Sequence, residues 1–144
     1  MTTIASSITV DIPASAVFDY LVEPANQVHW SPNFQFLERA PTGTLGLGTA
    51  FRGRLKNFGS LEFVYDEFQP QTSFRMAANH RTGHITHRFT LSGEGRATTV
   101  RHEVGFDARG LARVAVPLMK PMLRRMVSDL DLQLKVSLAA LSPP

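Results

Sequence analysis

Two histidines are the residues whose type and placement most invite chemistry. In the stretch Gly83–Leu91, Phe89 and Leu91 mark an apolar face, and strict alternation puts Ile85 and His87 on the same face. In Thr98–Asp107, Val100 and Val104 mark the face, which then carries Thr98 and His102. A hairpin closed by Ser92–Ala97 pairs Leu91 with Thr98, Phe89 with Val100, His87 with His102 and Ile85 with Val104. That register sets the two imidazoles opposite each other, with Cβ atoms about 5 Å apart. Such a pair has three uses. It can bond internally or to other core groups. It can orient a polar ligand end or act as general acid/base near neutral pH, making His87 and His102 the catalytic candidates. It can also bind a metal, but a further ligand would have to come from Glu62, Asp66 or Glu67 on another strand, and no third ligand stands at motif spacing. No metal and no cofactor is therefore expected. A one-residue slip would turn both histidines to solvent.

Other inward groups follow from the same alternation. Phe74, Met76 and Ala78 form one apolar face with Arg75 outside, and Phe51, Gly53 and Leu55 another with Arg52 and Arg54 outside. Leu61, Phe63 and Tyr65 alternate against Glu62, Val64, Asp66 and Phe68, so both faces of that strand carry apolar residues and the direction of Tyr65 stays open. Trp30, between a helix end and Ser31-Pro32, reads as an anchor, with His29 exposed. The Gly- and Thr-rich stretch Thr42–Gly48 lacks the Lys-Ser/Thr ending and following helix of a phosphate loop. A Gly-x-Ser-x-Gly elbow, a His-Glu-x-x-His pair and a dinucleotide fingerprint are also absent.

The elements that must position these groups are legible as a sequence of periods. Ile4–Ile12 alternates with Ile4, Ser6, Ile8, Val10 and Ile12 on one face, and Pro13 ends it. Ala14–Val22 reads as a short helix and Ala25–His29 as a further turn or two. Period two then persists through Phe34–Arg39, Thr49–Asn57, Ser60–Phe68, Ser73–Ala78, Gly83–Leu91 and Thr98–Asp107. Short separators such as Pro41-Thr42-Gly43-Thr44 and Gln69-Pro70-Gln71 make successive strands antiparallel neighbours. Leu111–Leu141 reads as one long helix with a kink or a separate first turn at Pro117 and Pro121. Its apolar stripe places Met119, Met122 and Met126 toward the sheet, as ordinary core or as the adaptable wall of a cavity. The exposed apolar positions Val127 and Val136 would instead suit a protein partner. This order predicts an α+β fold: a curved seven-stranded antiparallel sheet around a long C-terminal helix, with two short helices between strands 1 and 2.

Composition bounds the rest. With 144 residues, 43% hydrophobic, one domain over residues 1–144 is expected. There is no cysteine, so disulfide and thiolate chemistry are excluded. No stretch resembles a signal peptide or approaches a membrane span, which leads to a cytoplasmic expectation without stable membrane insertion. The net charge is +3 and the basic residues are scattered without interleaved aromatics, so no nucleic-acid partner is expected, though weak attraction to anionic lipids or ligands is compatible with it.

Several strings in this order resemble the START-like superfamily, also known as SRPBCC or helix-grip proteins, in particular its bacterial polyketide cyclase/dehydrase-like branch. They are Ile8-Thr9-Val10-Asp11-Ile12-Pro13-Ala14 leading into Val17-Phe18-Asp19-Tyr20-Leu21, then Glu23-Pro24-Ala25-Asn26 with His29-Trp30, Gly46-Leu47-Gly48-Thr49, Tyr65-Asp66-Glu67-Phe68-Gln69-Pro70 and Arg88-Phe89-Thr90-Leu91. The resemblance covers essentially the whole chain. It implies a hydrophobic cavity between sheet and last helix for a lipid, sterol, polyketide or aromatic metabolite. Trp30, Phe51, Tyr65, Met76, His87, Phe89, His102, Met119, Met122 and Met126 are the residues expected to meet such a ligand, in a monomer or homodimer. A binding protein is favoured. The alternatives are a cyclase or dehydratase using His87 or His102 as acid/base with Tyr65 assisting, and a regulatory interaction module.

Overall fold

The computed structural model describes residues 2–31, 34–39, 45–56 and 59–141. The expected turn at Pro41-Thr42-Gly43-Thr44 and the Asn57-Phe58 part of the next one lie outside them. The strands are β1 (Thr2–Val10), β2 (Phe34–Arg39), β3 (Ala50–Leu55), β4 (Gly59–Gln69), β5 (Ser73–His80), β6 (Gly83–Glu94) and β7 (Ala97–Ala108). They form one antiparallel sheet in the order β1-β7-β6-β5-β4-β3-β2. Strands β2 to β7 run as a meander because each connection is short, and β1 closes onto β7.

The helices are α1 (Ala14–Val22), α2 (Gln27–Trp30, after a 3-10 turn at Pro24–Asn26), α3 (Ala112–Leu118) and α4 (Lys120–Ala139). Leu111–Leu141, expected as one long helix with a kink or a separate first turn, is two helices, α3 and α4, broken at Met119, whose backbone leaves the helical region (φ −87°, ψ 2°). Pro121 sits in the first turn of α4, where a missing N–H costs nothing, and so begins a new helix instead of kinking an old one. The twenty residues of α4 span about 30 Å at 1.5 Å per residue.

The core lies where α1 and α4 cover the inner face of the sheet. Helix α1 contributes Val17, Phe18, Leu21 and Val22. Helix α4 contributes Val127, Leu130, Leu134 and Leu138, spaced three and four apart, and packs over β1 and beside α2. The sheet contributes Phe51, Phe63, Tyr65, Phe74, Phe89 and Val100. Rings interlock edge-on or stacked: Phe18 against Phe74 at 5.7 Å, Phe74 on Phe89 at 4.9 Å and Trp30 against Phe89 at 5.4 Å.

A bulge in β4 resolves the ambiguity at Tyr65. Tyr65 opposes Met76 and Glu67 opposes Arg75, so Asp66 is the extra residue. The phase of the strand flips there, which lets Tyr65 and Phe68 both turn inward. Tyr65 is buried and its hydroxyl donates to the Val22 carbonyl at 2.5 Å, tying β4 to the end of α1.

Candidate functional site

The β6–β7 hairpin is longer than expected. Its strands continue to Glu94 and Ala97, leaving Gly95-Arg96 as a two-residue turn. Gly95 has φ +64° and heads a turn of the kind that places Gly first, so the strands continue their twist into it. The register is therefore shifted by two residues: Phe89 opposes His102 and His87 opposes Val104. A shift of two preserves the face, so both histidines still point inward, but as diagonal neighbours instead of a direct pair. Their rings bridge the diagonal, with Nε2 of His87 3.2 Å from Nδ1 of His102.

Two further residues join them. Ser6 on β1 stands directly opposite His102 across the β1–β7 ladder. Asp131 comes down from α4, one turn from Val127 and less than one from Leu134, at the margin of the buried stripe. Its carboxylate accepts from both sides: Nε2 of His102 lies 2.5 Å from one oxygen, and the Ser6 hydroxyl donates to the other. His102 is fully buried, and the Asp131 side chain keeps 18% of its surface exposed.

The donors and acceptors set a direction along this chain. With its proton on Nε2, facing the carboxylate, a neutral His102 offers Nδ1 as an acceptor. That suits an Nε2–H on His87, leaving its Nδ1 as an acceptor. His87 is half-buried, less enclosed than His102. Burial pushes its pKa well below the ordinary 6.5, and the adjoining His102 adds to the effect, so His87 is neutral at pH 7. Phe89 at 4.3 Å and Trp30 at 6.3 Å, ring centre to ring centre, form its apolar surroundings.

The outer end of the chain opens on a pocket of about 320 Å³ between β1 and α4. It is lined by Thr3 to Ser6 on β1 and by Lys120, Arg124, Val127, Ser128 and Asp131 on α4. Two cations thus stand beside one carboxylate and the hydroxyls of Thr3, Ser6 and Ser128. Helix α2, whose Trp30 ring lies near His87, carries two buried side-chain donors without an acceptor among the described residues, Gln27 Nε2 and Trp30 Nε1, on residues three apart and hence on one side of the helix.

The structure brings together His87, His102, Trp30 and Phe89 of the expected site residues, with Met76 opposite His87 in the β5–β6 register. Phe51 and Tyr65 sit farther along the aromatic core, ring to ring at 5.4 Å, and the Tyr65 hydroxyl is already engaged. The methionines depart from expectation. Met119 is 41% and Met122 46% exposed, and Met126 is half-buried, because the break at Met119 and the restart at Pro121 rotate this end of the stripe away from the sheet. Asp66 and Glu67, considered as metal ligands, lie on the outer face in two-point ion pairs with Arg75 and Arg88. No group of three metal-ligating side chains occurs among the described residues. Asp131, Ser6 and Gln27 were not among the expected site residues. The signal for Asp131 was a carboxylate bordering an apolar helical stripe, and for Ser6 a hydroxyl on an otherwise apolar strand face.

A single antiparallel sheet with a long C-terminal helix over one face, consistent with a helix-grip protein, frames this buried polar chain. Residues 1–139 match the family described as polyketide cyclase / dehydrase and lipid transport, and the chain belongs to that family. No curated protein matches the sequence. Among solved structures it is similar to the di-domain ARO/CYC BexL from the BE-7585A biosynthetic pathway (TM-score 0.78, 16% identity, 100% of this chain and 48% of that chain). This chain thus spans about half of that protein. It is also similar to TTHA0849 from Thermus thermophilus (TM-score 0.75, 14% identity, 98% of this chain and 100% of that chain). A START superfamily protein from Mycobacterium smegmatis aligns with TM-score 0.67 at 12% identity, over 94% of this chain and 93% of that one. At these identities the likeness is one of fold.

Proposed function

We propose that residues 1–144 form one START-like domain that binds a small amphipathic molecule between the sheet and α4. One observation carries this reading: a hydrogen-bonded chain, Asp131–His102–His87, runs from the β1–α4 pocket into an aromatic interior. Packing alone does not call for such a chain, since buried polar groups cost stability unless fully paired. The pocket volume falls at the small end of ligand sites, which run from about 300 to 1,000 Å³. Lys120 and Arg124 at its rim favour a ligand with an anionic or strongly polar oxygen. The donors of Gln27 and Trp30 that lack an acceptor among the described residues, with the Nδ1 acceptor of His87, would meet a ligand carbonyl or hydroxyl that reaches the interior. Trp30 and Phe89 supply the apolar contact.

The direct test is a titration with 8-anilinonaphthalene-1-sulfonate, an aromatic body with an anionic head, followed through the imidazole nitrogens by NMR. Binding should move the His87 and His102 ring resonances, and Asp131→Ala should weaken it. Probe binding that leaves both rings unmoved would place the ligand elsewhere and defeat this reading.

An enzymatic role is the second reading, favoured by the polarity of the same chain. A neutral His87 with Nδ1 unprotonated is a general base, and His102, held by Asp131, can share the proton it takes up. A substrate of the cyclase or dehydratase type would lose a proton to Nδ1 and regain one from it. His87→Gln should then bind substrate and lose turnover; full turnover in that variant excludes the role.

A further inference from the structure

Helix α3 is anomalous as part of a water-facing surface. None of its seven residues is buried. Leu111 just before it is 91% exposed, Val114 68% and Leu118 77%, followed by Met119 and Met122. A helix this short is marginal in water without an apolar face to pack, and Val114, Val116 and Pro117 are poor helix formers. Among the described residues its main packing partners are β7 and α4, and Leu111, Val114 and Leu118 stay exposed beside them.

The charge around it decides among occupants. From Arg109 to Ser128 the chain carries Arg109, Arg113, Lys120, Arg124 and Arg125, and no carboxylate. The whole protein has net charge +3, so +3 less the +5 of this segment leaves −2 for everything else. Apolar side chains on a stretch with five cations, where Asp131 beside Lys120 and Arg124 is the carboxylate the pocket brings near, match the interface of an anionic bilayer, where the apolar groups enter the acyl boundary and the cations meet the headgroups. A second copy of the chain would bring five like charges against five, which disfavours self-association through this face. No described helix is long and apolar enough to cross a membrane. An in-plane contact is the mode that remains for this segment.

We infer that α3 and the first two turns of α4 form a docking surface for anionic lipid bilayers. The surface adjoins the β1–α4 pocket, since Lys120 and Arg124 belong to both. The inference stands on exposure and charge, independently of what the pocket holds.

Cosedimentation with vesicles of phosphatidylcholine and phosphatidylglycerol in equal proportion, against pure phosphatidylcholine, tests it. The protein should bind the anionic vesicles, weakly or not at all the neutral ones, and release with added salt. Arg113→Gln combined with Arg125→Gln should lower affinity by roughly fivefold per charge removed. Leu111→Ser with Leu118→Ser, both at exposed sites, should abolish binding while circular dichroism and the unfolding midpoint are retained. Absence of binding to anionic vesicles overturns the proposal, as does equal binding to both compositions. Sedimentation equilibrium showing a dimer that Leu118→Ser dissociates, without vesicle binding, would assign the face to a second copy and overturn it as well.

Discussion

Truncating Asp131 to alanine probes the polar chain most sharply. Both carboxylate oxygens are engaged, one by the fully buried His102 and one by Ser6. Asp131→Ala leaves the Nε2–H of His102 without an acceptor, and an orphaned buried donor costs about 1–3 kcal/mol. Two features pull the value down. The site borders the pocket, so water can reach part of it. Alanine also favours the exposed side of α4 by about 0.5 kcal/mol over aspartate. The expected net loss is about 1–2 kcal/mol, or roughly 3–7 °C in the unfolding midpoint for a domain of this size. Asp131→Asn should cost less than about 1 kcal/mol, because the amide oxygen still accepts from His102 while the Ser6 hydroxyl rotates to accept from the amide nitrogen. Urea unfolding with the slope m unchanged measures both variants. An alanine variant within about 0.5 kcal/mol of wild type, or an asparagine variant as costly as alanine, would refute the hydrogen-bond assignment.

Other consequences follow from the same structure. The unfolded chain takes up a proton on His87 near pH 6.5 while the folded protein, with its lowered pKa, does not, so stability should fall as pH drops below about 6.5, by up to roughly 1.4 kcal/mol per unit. His87→Gln should flatten that part of the profile; a difference between the two proteins that stays constant from pH 5 to 8 contradicts it. Leu134→Ala should destabilise by about 2–5 kcal/mol, since Leu134 is fully buried under α4, and a calorimetric loss below about 1 kcal/mol would show that α4 does not clamp the sheet. Arg75→Ala removes a two-point pair with Asp66, but one on the outer face with about 30% of each side chain exposed, so chemical denaturation should register no more than about 1 kcal/mol.

The strands and their faces were legible because period two persists from Phe34 to Asp107 and every connection is short. Face survives small errors of register, and for this reason His87 and His102 were placed inward although the hairpin was closed two residues too early. Gly93 concealed the true turn: it reads as turn chemistry, yet it lies within β6, where an added Cβ would come within 2.5 Å of the Ala97 carbonyl. The break at Met119 was visible in Pro117 and Pro121, but its effect on the phase of the stripe was not, since an apolar period reads continuously across a helix restart. Asp131 was hidden for a different reason. Local pattern assigns a charged helical residue to solvent, and only the crossing of α4 over β1 brings it above Ser6 and His102. Val136 is exposed as the pattern suggested, at 69%, while Val127 is buried against β1 by that same crossing.

The measurement closest to the central claim is native mass spectrometry of the purified protein, with any released small molecule identified after denaturation. The expected result is a bound molecule with an apolar body and a polar oxygen-bearing end, held by wild type and lost or weakened in Asp131→Ala. A bound molecule retained equally by that variant, or protein that is empty and leaves its histidine rings undisturbed by the anilinonaphthalene probe, would contradict it.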